Sequence, residues 1–172
     1  MENLFITIVC IALIMLASVS YASSSLSSAD AISNSFKTMA ERVREIGRTN
    51  IIAENATTAD GSAVEITLLN DGNTDLRNYS RWDVIVRYRN GATSWIPYVA
   101  SAVPGTAPGW WSDNGTFLNG SPDVFEPGIL NPGETLKINV YPNPAVGKDT
   151  STLVVISTDN GVNTQKEFNW TW

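Results

Sequence analysis

The chain has 172 residues, 43% hydrophobic and 16% charged, which fits one folded domain plus one extra element but not two full domains. A net charge of −6 without any basic stripe excludes the phosphate neutralisation that nucleic-acid binding requires. There is no histidine, and the one cysteine, Cys10, lies in an apolar run. That removes the commonest general base and zinc ligand, the Ser–His and Cys–His couples, and any disulfide within one chain. No catalytic site, cofactor or metal is expected.

Residues 4–19 are apolar on every side, with Leu4, Phe5, Ile8, Ile11, Leu13, Met15 and Leu16 among the large side chains. Such a helix is lipid-facing or buried, and with Tyr21 and Ala22 it reaches about the minimum length of a membrane span. One reading is a cleaved secretory signal, since Ser20-Tyr21-Ala22 has the small-x-small pattern of a cleavage site. Against it, the start is Met-Glu-Asn, acidic where a signal is basic. The apolar pattern also continues, through Leu26, Ala29, Ile32, Phe36, Met39, Val43 and Ile46, in helical steps of three and four. The charges Lys37, Glu41, Arg42, Arg44, Glu45 and Arg48 mostly occupy the other sides. No Gly or Pro precedes Gly47, so one uninterrupted helix is predicted over 4–46, with Gly47 as its stop. At 1.5 Å per residue it would run about 65–70 Å, too long for so small a domain to bury. It needs partners of its own kind, a bilayer, or both in succession.

Beyond Gly47 the period changes to two. Strands are predicted at 63–70, 82–89, 93–100, 135–141, 153–158 and 165–172, with a lead-in at 50–55. Trp82, Val84, Val86 and Tyr88 share one face of the second. Turn signals at Asp71-Gly72, Asn90-Gly91, Pro132-Gly133 and Asn160-Gly161 separate the runs, the last being the strongest hairpin signal. The fold class is therefore α+β: residues 1–48 form a hydrophobic-to-amphipathic helix, and residues 49–172 an immunoglobulin-like antiparallel β-sandwich, without the Cys…Trp…Cys core of antibody domains. Residues 101–131 read as a long insertion carrying Trp110 and Trp111. Adjacent tryptophans there serve either as a lid on the core or as a subunit contact.

Asp71-Gly-Asn-Thr-Asp75 spaces oxygen ligands like the start of a calcium loop. An EF-hand needs glycine and glutamate where Leu76 and Trp82 stand, so a turn rich in Asn and Asp is expected instead. Glycosylation sequons begin at Asn55, Asn78, Asn114, Asn119 and Asn169. Pro122 makes Asn119 the poorest of them, and the open insertion makes Asn114 the best. Asp123 and Glu126 are the one conceivable carboxylate pair for hydrolysis, with nothing to fix their geometry.

The apolar-then-amphipathic helix resembles the archaellin and type IV pilin-like superfamily, which includes the stator proteins of the archaellum. The head carries the resemblance further in Leu68-Leu-Asn-Asp-Gly-Asn-Thr-Asp-Leu76, Trp82-Asp-Val-Ile-Val-Arg-Tyr88, Leu130-Asn-Pro-Gly-Glu-Thr-Leu136 and the Asn160-Gly161 hairpin. It implies a homo-oligomeric helical filament, with helices bundled in the core and heads forming the outer wall, and membrane insertion before assembly. Further filament or envelope proteins are implied as partners. The basic leader of the family, with its Lys/Arg–Gly cut site, is not in the sequence, which implies a mature form or a member anchored without processing. Glu2 does not stand at the fifth position where bacterial pilins carry glutamate, so it takes no pilin-type role. Two rivals remain open: a membrane-anchored stator-type protein whose head binds an envelope component, and a secreted module binding carbohydrate through Trp110 and Trp111.

Overall fold

The computed structural model describes residues 2–91, 96–100 and 109–171. The chain divides into two compact units, Met1–Val43 and Arg44–Trp172.

Helix α1 runs over Glu2–Arg48 without interruption. It passes through Gly47, where a stop was expected. Its hydroxyls do not interrupt it. Those of Ser18, Ser20, Ser28, Ser35 and Thr38 donate to carbonyls four residues back at 2.8–3.0 Å. Polar atoms satisfied within the helix do not oppose transfer of its surface to apolar surroundings.

The second unit is a sandwich of β1 (Ile51–Thr58), β2 (Val64–Asn70), β3 (Asp83–Tyr88), β4 (Ile96–Ala100), β5 (Trp110–Leu118), β6 (Ser121–Pro122), β7 (Thr135–Tyr141), β8 (Ser151–Ser157) and β9 (Asn163–Asn169). One sheet has the order β1-β2-β7-β5-β6 and the other β4-β3-β8-β9. Every pairing described is antiparallel. Apart from the short β6, this is the A-B-E-D and C′-C-F-G order of an immunoglobulin domain.

Alternation explains the core. Val64, Ile66 and Leu68 of β2, with Leu136, Ile138 and Val140 of β7, meet Val84, Val86 and Tyr88 of β3 and Val154 and Ile156 of β8, all buried. Trp82 closes one end beside them, as its shared face with Val84 predicted. The Tyr88 hydroxyl reaches the edge and donates to the Pro144 carbonyl at 2.6 Å.

Two expectations are corrected. The lead-in at 50–55 is the full edge strand β1. The supposed insertion 101–131 holds β5 and β6, although its residues 101–108 lie outside the described ones. The turn-like Asp113-Asn114-Gly115 hid β5. It is a bulge: the register with β7 shifts between Asp113 and Thr116, and Gly115 takes φ 91°.

Tyr79 stands edge-on to Trp82, with centroids 5.1 Å apart. Its buried hydroxyl has no hydrogen-bond partner among the described residues. Burial, reinforced by the carboxylates of Asp113, Glu134 and Asp123, pushes its pKa far above the usual tyrosine value. An unfolded tyrosine ionises near pH ~10, so the native state is undisturbed below that and loses up to about 1.4 kcal/mol per pH unit above it. Urea denaturation at pH 7 and 11 should show that Tyr79→Phe costs under ~1 kcal/mol at pH 7 and flattens the alkaline loss. Burial raises the pKa of Tyr88 as well, so it contributes to the alkaline loss in the same direction.

Candidate assembly surface

The apolar positions singled out on α1 stay uncovered. Ile8, Ile11, Leu13, Met15, Leu16, Leu26, Ile32, Phe36, Met39, Val43 and Ile46 are between 45% and 70% exposed. Leu4 and Phe5 belong to the helix, with side chains outside the described residues. The helix is long and apolar enough to cross a membrane. Burial of a large apolar side chain is worth ~1.5–3 kcal/mol, so covering the whole run is worth on the order of tens of kcal/mol before entropy costs. An exposed apolar surface of this extent suits apolar surroundings, a bilayer or an apolar protein surface.

The Asp71–Asp75 segment caps the helix. Where Arg48 ends α1, its carbonyl accepts the Asn73 amide at 2.8 Å, while its guanidinium donates to the Asn73 carbonyl at 3.1 Å. The Asn50 carbonyl accepts the Asp71 amide at 3.0 Å, and the Asn50 side chain donates to the Asp71 carboxylate at 3.2 Å. The first of these bonds satisfies the last carbonyl of the helix, one of those a helix end leaves without partners. Gly72 is required by proximity: a Cβ there would lie 2.5 Å from the Asn50 nitrogen and 2.7 Å from the Arg48 oxygen. Gly72→Ala should cost the second unit about 1–3 kcal/mol in thermal or urea unfolding.

Two sequence motifs interlock behind this turn. Leu76 and Leu130 exchange backbone hydrogen bonds of 3.1 and 2.9 Å, and Asn70 exchanges bonds of 3.0 and 2.8 Å with Glu134 and Gly133. The fully buried Asn70 side chain donates to the carbonyls of Thr74 at 2.8 Å and Leu130 at 2.9 Å, and accepts the Gly72 amide at 3.1 Å. The Glu134 carboxylate accepts the Asn131 amide at 2.8 Å. Asn70 is thus the centre of a structural hub that joins the turn to the 130–134 segment. Among the described residues, no group of three or more His, Cys, Asp or Glu side chains is placed to hold a metal.

Trp110 and Trp111 do not act as a pair. Trp111 is 2% exposed and belongs to the core, because successive β5 residues point to opposite faces. It has no area to offer a neighbouring subunit. Trp110 lies on the other face, stacked on Tyr141 at a centroid distance of 4.1 Å. Asp123 is engaged by the backbone of its own turn. Its carboxylate accepts the amides of Phe125 at 2.9 Å and Glu126 at 3.3 Å, holding a turn.

The sequon asparagines Asn55, Asn78, Asn114, Asn119 and Asn169 are all exposed. Asn114 looked best from the sequence, but the hydroxyl-bearing residue of its sequon, Thr116, is buried in the bulged strand. The partners of Asn55, Asn78 and Asn169 — Thr57, Ser80 and Thr171 — are exposed.

No family model and no curated protein matches the chain. Solved structures do match its fold. The archaellum periplasmic stator complex of FlaF and FlaG from Sulfolobus acidocaldarius matches with TM-score 0.51 at 20% identity, over 69% of this chain and 87% of that one. The stator protein FlaG from the same organism matches with TM-score 0.50 at 20% identity, over 70% and 99%. The archaeal flagellum of Methanospirillum hungatei matches with TM-score 0.64 at 12% identity, over 98% of this chain and 93% of that one. The likeness is one of fold: a long apolar helix followed by an immunoglobulin-like head.

Proposed function

We propose that this chain is a structural subunit of an extracellular archaellum-like or type IV pilus-like filament, serving motility or adhesion and polymerising through its N-terminal helix. The carrying observation is the uninterrupted helix whose large apolar side chains are exposed from Ile6 to Ile46. A lone copy in water cannot retain that surface, whereas parallel copies bury it at many positions at once. The flagellum match supports the reading because it extends over the helix as well as the head. In this scheme the helix resides in the membrane before assembly, the heads form the outer wall, and no enzymatic step is involved. Asn55, Asn78 and Asn169 then take precedence over Asn114 as glycan sites.

A second reading is favoured by the two stator matches, which span 69% and 70% of the chain, about the extent of the head. Here the helix stays in the bilayer and the head binds a component of the cell envelope. Mass spectrometry of sheared extracellular filaments separates the two. Abundant chain with residues 2–22 intact is the expected result; recovery from the membrane fraction alone would establish the stator-type role. A soluble form beginning at Ser23 would defeat both.

A further inference from the structure

The most exposed large apolar side chains among the described residues are on the head, not on the helix. Val124 is 87% and Phe125 94% exposed, at the tip of the turn that follows β6. The tip is well braced. The Asp123 amide donates to Thr116 at 2.9 Å, the Asp123 carboxylate holds the two amides described above, and the Ile129 amide donates to Glu126 at 3.1 Å. A braced turn that presents phenylalanine to water exposes apolar area without local compensation. The charged residues of the surrounding stretch of sequence are acidic: between Arg89 and Lys137 it has Asp113, Asp123, Glu126 and Glu134 but no Lys or Arg, and Lys137 itself is engaged over the Phe117 ring.

The helix offers the complement. Ile32, Ser35, Phe36 and Met39 stand at i, i+3, i+4 and i+7 and, with Ala31, line a depression in its surface. Four residues at those spacings form the hole that receives a single knob in helix packing, and the small Ser35 keeps this one open. The adjoining depression is bounded by Arg42. After Asp30 the helix carries Lys37, Arg42, Arg44 and Arg48 against Glu41 and Glu45, so this stretch is net positive.

We propose that Phe125 of one copy seats in the Ile32–Ser35–Phe36–Met39 hole of a neighbouring copy, with Glu126 facing Arg42. The proposal rests on the filament reading and adds which head surface closes over the stripe. The two surfaces differ, so the contact is heterologous. Repetition of a heterologous contact that does not close into a ring produces an open helical polymer, where a self-complementary patch would stop at a dimer.

The test is disulfide trapping in filaments of the full chain, with Cys10→Ser as background and Phe36→Cys combined with Phe125→Cys. After oxidation with diamide, non-reducing electrophoresis should show a ladder extending beyond dimers, absent from either single-cysteine variant. Filaments that yield only monomer would overturn the contact and leave the filament reading standing. Dimers from Phe36→Cys alone would also overturn it, because another helix then covers the stripe. A Cys10→Ser chain found only in membranes, without filaments, would defeat both. Phe125→Ser provides a second readout, since an exposed side chain contributes nothing to head folding. Its filament yield should fall at least about tenfold; an unchanged yield would overturn the proposal.

Discussion

Asn70→Ala should lower the unfolding free energy of the head by about 3–5 kcal/mol, the largest single-residue effect expected away from the packed apolar core. The side chain is fully buried and makes three hydrogen bonds, to Thr74, Leu130 and Gly72. Alanine removes the amide and leaves those backbone groups behind. Each group left unpaired in the interior costs ~1–3 kcal/mol, whereas each bond formed is worth only about 1 kcal/mol net. The damage should also spread, because the same residue's backbone ties Gly133 and Glu134 to the turn. Asn70→Asp sharpens the test. It keeps the acceptor toward Gly72 but cannot donate to both carbonyls, and it would bury a charge, so it should be at least as harmful. The measurement is urea denaturation at pH 7, comparing midpoints at constant slope. A loss below ~1 kcal/mol for both variants would mean that the backbone bonds alone hold the hub.

Most of the architecture is legible from one residue at a time. The helix follows from unbroken apolar spacing without Gly or Pro, and β2, β3, β7, β8 and β9 follow from alternation between turn signals. The illegible parts have a common cause: local chemistry that carries a different meaning in context. Asp113-Asn114-Gly115 has the composition of a turn, but inside β5 it is a bulge, so a strand was read as part of an insertion. Gly47 has the composition of a helix stop, yet Arg48 still belongs to the helix; Thr49 serves the Glu45 and Ile46 carbonyls, and the bond to the Arg48 carbonyl comes from Asn73, remote in sequence. Asp71-Gly72-Asn73 resembles a ligand loop because Asn and Asp suit turns and metals alike; the carbonyls of Arg48 and Asn50 that its amides serve are invisible until the chain is folded. The assembly surface was the reverse case. Periodicity marks its helical residues, and the structure leaves those it describes exposed in the single chain. Val124 and Phe125 were missed: two apolar residues between Asp123 and Glu126 match no periodic pattern, and only their exposure distinguishes them.

Leu13→Asp should abolish polymerisation while leaving the head intact. Leu13 lies in the all-round apolar run and is 62% exposed in the single chain, so truncating it removes no packing contact within the head. In the polymer every copy would place a carboxylate among apolar helices with no cation at hand, since Glu2 is the only charged residue before Asp30. An unpaired buried charge costs about 3–5 kcal/mol, equivalent to at least ~100-fold in subunit affinity, and the cost recurs at every subunit added. Membrane residence suffers too, because aspartate at the centre of a spanning helix costs ~2.5–3.5 kcal/mol on insertion. Leu13→Met, similar in volume and equally apolar, should assemble normally. Electron microscopy of sheared material gives the polymer readout and thermal unfolding of the head the control, with the melting temperature expected to stay within ~2 °C because Leu13 belongs to the other compact unit. Normal filaments from Leu13→Asp would show that residues 4–19 are not the polymer core. Loss of filaments with an unshifted melting temperature locates the driving force for assembly in the burial of the helix, with the head folding independently of it.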